Sequence, residues 1–104
     1  MTRSEAENRF LTLVRKARLP PPEVNVVLYG HEVDFLWRRS GLVVEVDGFA
    51  YHSSRYGFER DRRRDGQLTA SGFRVVRVTW RQMVAEPEAM LVRLAQALVA
   101  AEPQ

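Results

Sequence analysis

Apolar residues recur at helical spacing, then at alternate positions, then at helical spacing again, and these changes of period divide the chain into elements. Ala6, Phe10, Leu13, Val14 and Ala17 follow the S-x-x-E signature Ser4-Glu5-Ala6-Glu7, which predicts a first helix over residues 4–17 opened by a capping box. Pro20-Pro21-Pro22 cannot continue it and forces an extended path. Val24–Tyr29, Val33–Trp37 and Leu42–Val46 then read as three strands, separated by the turns Gly30-His31-Glu32 and Arg39-Ser40-Gly41. A second helix is expected from about Tyr56 to a stop at Gly72, and Phe73–Trp80 is a fourth strand, with a short helical turn after it. A last helix opens at Glu86-Pro87, where proline suits the first turn, and Met90, Leu91, Leu94 and Leu98 give it a face to cover the sheet. The order αβββαβα implies an α/β domain with a small mixed four-stranded sheet flanked by helices.

Within this pattern the polar residues that break the rule carry the chemistry. Val43, Glu45 and Asp47 share one face of the third strand, and Asp34 on the neighbouring strand can join them, since cross-strand Cβ atoms lie only about 5 Å apart. Carboxylates in an apolar strand repel one another and resist burial unless something positive compensates them, and a divalent cation is the simplest candidate. Acids on the solvent face of a half-exposed hairpin would show the same pattern. Neutralising Asp34 would relieve repulsion between the acids, so Asp34→Asn is expected to be no less stable than the parent. His52 follows the acidic strand end and is a candidate general base. On the second helix Phe58, Asp61, Asp65 and Leu68 form one stripe that must face the sheet, so at least one acid points inward. Arg60, Arg63 and Arg64 spread over its flanks and outer face, where phosphates could reach them; a solvated helix laced with Asp–Arg pairs is the plainer account.

A chain of 104 residues fits one domain, taken as 1–104. Without cysteine there is no disulfide and no thiolate metal site, which suits the cytoplasm, and no apolar run approaches a membrane span. The formal charge is +3, and the 16 basic residues are 15 arginines and Lys16. Arginine binds phosphate bidentately and stacks on bases, which makes DNA a candidate partner.

Taken together, Glu7-x-x-Phe10, Val33-Asp34-Phe35-Leu36-Trp37, Val43-Val44-Glu45-Val46-Asp47-Gly48, His52, Glu59-Arg60-Asp61-Arg62-Arg63 and Gly72-Phe73-Arg74-Val75-Val76-Arg77 make the sequence resemble the DUF559 family. That family is similar to the very-short-patch repair endonucleases of the PD-(D/E)XK superfamily. The resemblance implies a restriction-endonuclease-like core and a Mg2+- or Mn2+-dependent DNA endonuclease, in repair or in a mobile-element or restriction context. It implies that Asp34 and Glu45 bind the metal with the Val46 carbonyl, that His52 is the base supported by Asp61, and that Glu7 lies close to the active site. Asp47 stands where the superfamily usually carries lysine, a departure that His52 could make good. The alternative reading is a catalytically inactive nuclease-like module that binds DNA or a protein partner. In either case a homodimer or a partner subunit could supply specificity.

Overall fold

Thr2 opens the first helix. Its hydroxyl accepts a hydrogen bond from the Glu5 backbone N–H while the Glu5 carboxylate accepts one from the Thr2 N–H, so two donors that a helix start leaves orphaned are satisfied reciprocally. The first helix, α1, therefore spans Arg3–Lys16. The capping box is Thr2/Glu5, not Ser4/Glu7, because Thr2-Arg3-Ser4-Glu5 carries the same signature two residues earlier. Glu7 is thereby left free for other contacts. The structure, a computed structural model, describes residues 2–47 and 55–100.

Strand β1 (Glu23–Leu28) pairs antiparallel with β2 (His31–Trp37), and β2 pairs antiparallel with β3 (Leu42–Asp47). Tyr29 and Gly30 make the first turn with φ of 49° and 81°, the two-residue left-handed geometry whose twist suits a hairpin. This turn is shorter than expected, and His31 and Glu32 belong to β2. Helix α2 (Arg55–Ala70) then leads to β4 (Arg74–Thr79), which pairs parallel with β3, so the sheet order is β1-β2-β3-β4. Two more helices follow, α3 (Trp80–Ala85), capped by Thr79 and Gln82, and α4 (Pro87–Ala100). The fold is the expected mixed α/β sheet flanked by helices, with α3 as a separate short helix. None of the described helices is long and apolar enough to cross a membrane.

Helices α1, α3 and α4 close one face of the sheet. Phe10 and Val14 of α1, Phe35 and Val44 of the strands, and Met90 and Leu94 of α4 belong to one buried cluster, in which the Phe10 and Phe35 rings lie 4.7 Å apart. On the other face Leu68 of α2 packs with Leu36 and Val43, and Val26, Val33, Phe73 and Val75 join that cluster. At the head of the sheet the Arg74 N–H donates to the Gly41 carbonyl over 2.8 Å. A Cβ on Gly41 would lie 3.3 Å from the Gly72 carbonyl oxygen, and φ at Gly41 is 62°, so this approach of backbones suits glycine.

Strict alternation would send Val33 and Phe35 to the same face, yet they fall in different clusters. The pairs Val24–Phe35 and Val26–Val33 flank Asn25 and Asp34. Asn25 has φ of 52°, a left-handed conformation that asparagine tolerates better than most residues. The pleat changes phase there, and the change falls on Asp34.

Candidate active site where two strands part

Register between β2 and β3 runs through Trp37–Leu42, Leu36–Val43 and Phe35–Val44 and stops there. One step on, where Asp34 would face Glu45, side chains replace the backbone ladder. The Glu45 Oε2 accepts the Asp34 backbone N–H at 3.0 Å, and the Asp34 Oδ2 accepts the Val46 backbone N–H at 2.9 Å. Each carboxylate is thus fixed by the opposite strand's backbone, and both are almost fully buried, at 3% exposure for Asp34 and 5% for Glu45.

The second oxygen of each carboxylate faces a guanidinium. Arg3 of α1 reaches Asp34 Oδ1 with its Nη2 at 2.5 Å and places its Nε 2.9 Å from Glu7. Arg64 of α2 pairs its Nη2 with Glu45 Oε1, donates to the Glu32 carbonyl over 2.6 Å and lies 3.6 Å from Asp65. One arginine therefore comes from each helical layer. Further along the same face Arg77 of β4 holds both Asp65 oxygens, at 3.1 and 3.2 Å, and lies 3.6 Å from Asp47. Buried carboxylates are tolerated when paired and hydrogen-bonded, and among the described residues no buried polar side-chain atom lacks a partner.

The electrostatics follow from this geometry. The bond to Asp34 and its charge raise the Arg3 pKa, whereas burial lowers that of Arg64 in spite of the nearby acids. Burial likewise pushes the Asp47 carboxyl above its ordinary value; Arg77 opposes the shift, and the charges of Asp34, Asp61 and Asp65 add to it.

Asp34 and Glu45 meet as the strand pattern suggested, the Val46 backbone N–H donates to Asp34, and Glu7 joins them through Arg3. Asp47 sits at the strand end beside Arg77. Asp65 of α2 pairs with Arg77 of the sheet, and the half-buried Asp61 is near enough for its charge to act on Asp47 and Arg77. His52 lies outside the described residues. Arg60 and Arg63 are exposed on α2, but Arg64 is turned in toward Glu45; its place between the inward stripe and the flank lets a long side chain reach either way. His31 opens β2 and meets Gln67 of α2, and is not a loop residue.

Within the chain, charge compensation at the acids comes from Arg3 and Arg64. Since Asp34 pairs with Arg3 as well as facing another acid, Asp34→Asn is now expected to lower metal-free stability. The sequence signal for Arg3 was weak but present, since it stands four residues before Glu7, a facing position on a helix; for Arg77, which meets Asp47 and Asp65, it was the strand face shared with Phe73 and Val75, which pack under α2.

No three His, Cys, Asp or Glu side chains converge on a metal position among the described residues. What the site offers is one cation-facing oxygen on each of two fixed carboxylates, next to the Val46 backbone. Hard oxygens of this kind fit Mg2+ or Mn2+, which keep most of their shell for water and substrate phosphate.

Comparison with known proteins gives the same class. The REase_MTES_1575 family, which is restriction-endonuclease-like, matches residues 13–98. The fold is similar to the catalytic domain of the homing endonuclease I-Bth0305I, with a TM-score of 0.75 and 19% sequence identity over 92% of this chain and 95% of that one. No curated protein matches the sequence.

Proposed function

We propose, from the premise that the chain belongs to the restriction-endonuclease-like REase_MTES_1575 family, that it is a divalent-metal-dependent DNA endonuclease hydrolysing phosphodiester bonds. The observation that carries this reading is the parting of β2 and β3 around Asp34 and Glu45, which fixes two carboxylates by backbone N–H groups and leaves each with an oxygen presented to a cation. Catalytic groups work best when their orientation is set before substrate arrives, and strands set it better than loops.

Asp34, Glu45 and the Val46 carbonyl would hold Mg2+ or Mn2+. The ion would lower the pKa of an attacking water and stabilise charge on the phosphorane-like transition state. His52 would take the proton of that water, and Asp61 would hold the imidazole in the right tautomer. Both roles rest on the likeness to DUF559 and the very-short-patch repair endonucleases. Glu7 orients Arg3 against Asp34. The exposed Arg60 and Arg63 would meet DNA phosphates.

One observation favours a second reading, a nuclease-like module that binds DNA or a protein without cutting. Arg77 is committed to Asp65 and Asp47, in the region where the superfamily's lysine would stand, and Arg64 covers Glu45. Incubating the purified chain with supercoiled, single-stranded, mismatched and branched DNA and Mn2+ separates the two. Nicking that Asp34→Asn and Glu45→Gln each reduce by at least about a hundredfold is the result expected of the enzyme. Intact substrates throughout the panel would decide for the binding module.

A further inference from the structure

The two cations at the carboxylates are not equivalent. Arg3 has a side chain 63% exposed to solvent, although its partner Asp34 is only 4% exposed, so the guanidinium can swing into water and keep its bond to Glu7. Arg64 is only 19% exposed and its partner Glu45 is 6% exposed at the side chain, so the Coulomb attraction between them is far less screened. The Glu45 oxygen that Arg64 occupies is the one its backbone partner leaves open. We infer that Arg64 is a built-in competitor for the metal at Glu45: its guanidinium holds the cation position in the metal-free chain, and a divalent ion binds there only by displacing it. The inference rests on the metal-site reading given above.

Displacement is feasible because neither partner is stranded by it. The Nη2 that meets Glu45 also makes the 2.6 Å bond to the Glu32 carbonyl, so the two are released together, and Arg64 retains Asp65, which lies 3.6 Å from its Nη1. Glu45 keeps the Asp34 N–H at 3.0 Å, so its carboxylate stays in place to receive the ion. The pair thus stabilises the metal-free fold and weakens metal binding by the same free energy, as linkage requires. A cation of higher charge is favoured over a monovalent one at such a position, since it must outweigh a whole guanidinium.

Mn2+ alone is the probe, titrated against the full chain with free Mn2+ read by electron paramagnetic resonance, and paired with thermal melts with and without the ion. Arg64→Gln should bind Mn2+ roughly tenfold more tightly than the parent, within the usual range for coupled sites, and should gain more in Tm from the ion. Arg63→Gln, which removes the same charge from the exposed side of α2, should bind as the parent does; equal tightening in both variants would reduce the effect to net charge and overturn the competitor. Affinity in Arg64→Gln equal to or weaker than the parent's overturns it as well. If Arg64→Gln does not fold without metal, Arg64→Lys replaces it: lysine keeps the charge but carries it on a more strongly hydrated ammonium that loses the second nitrogen facing Asp65, so a smaller tightening is expected, and equality with the parent overturns the proposal. Glu45→Gln tells this failure from the deeper one. Mn2+ binding that Glu45→Gln leaves unchanged, or no binding by the parent, removes the metal-site reading and the competitor with it.

Discussion

Where α1, α3 and α4 cover the sheet, contact is made by apolar side chains such as Phe10, Phe35 and Met90. Where α2 covers it, apolar contact reaches from Leu68 over Leu36 and Val43 and then gives way to Glu45, Asp47, Asp65, Arg64 and Arg77. The first face is closed by burial, which is non-directional and cannot be traded for a ligand. The second is half closed by ion pairs, whose attraction is partly offset by desolvation. On the proposed reading such pairs are exchangeable, and a place where a cation can be exchanged is what a metal-dependent hydrolysis would use.

The contrast is sharpest in what truncation should do. Phe10→Ala removes a fully buried ring that lies tilted against Phe35 and should cost about 3–5 kcal/mol in urea unfolding; a loss under about 1 kcal/mol would mean the apolar face is not the main source of stability. On the charged half, Arg64→Met leaves the buried Glu45 carboxylate without its cation and should cost about 2–3 kcal/mol in the metal-free chain. Adding Glu45→Gln to it should recover more than half of that loss, because the amide oxygen still accepts the Asp34 N–H and no charge is left buried. If the double variant is as unstable as Arg64→Met, the pair is not exchangeable and the two faces do not differ as described.

Smaller effects refine the same contrast. Asp34→Asn should lower metal-free stability by about 1 kcal/mol, since Arg3 is mostly exposed and its pairing is screened; an unchanged or raised midpoint would return the site to simple acid–acid repulsion. The least effect is expected at Asp47. Burial holds its carboxyl above the ordinary carboxylate range, so the folded chain keeps this proton to higher pH than the unfolded chain does. Its contribution to stability is complete below the unfolded value and falls as pH rises through the folded one. Tm measured between about pH 4 and pH 7 should therefore decline less steeply in Asp47→Asn than in the parent, and parallel profiles would show that Asp47 titrates normally.

Much of this was legible in the sequence because it depends on short-range periodicity. Two-residue alternation put Val43, Glu45 and Asp47 on one face, helical spacing put Asp65 on the stripe that holds Leu68, and the structure keeps both placements. The likeness to a nuclease family was visible from the same segments. The capping box was misplaced by two residues because Thr2 and Ser4 carry one signature, and only the helix itself chooses between them.

The sequence by itself determined the elements, their faces and the meeting of Asp34 with Glu45, since each follows from backbone geometry within one strand or one hairpin. Tertiary structure alone decided the phase change at Asn25 and Asp34, the parallel pairing of β4 with β3, and the cations that meet the acids. Arg3 and Arg64 lie 31 and 19 residues from the acids they bind. An arginine side chain can turn to either flank of its helix, and which way it turns depends on how closely that helix packs against the sheet. No local pattern encodes that distance; the depth at which Phe10 and Leu68 seat their helices on opposite faces of the sheet sets it.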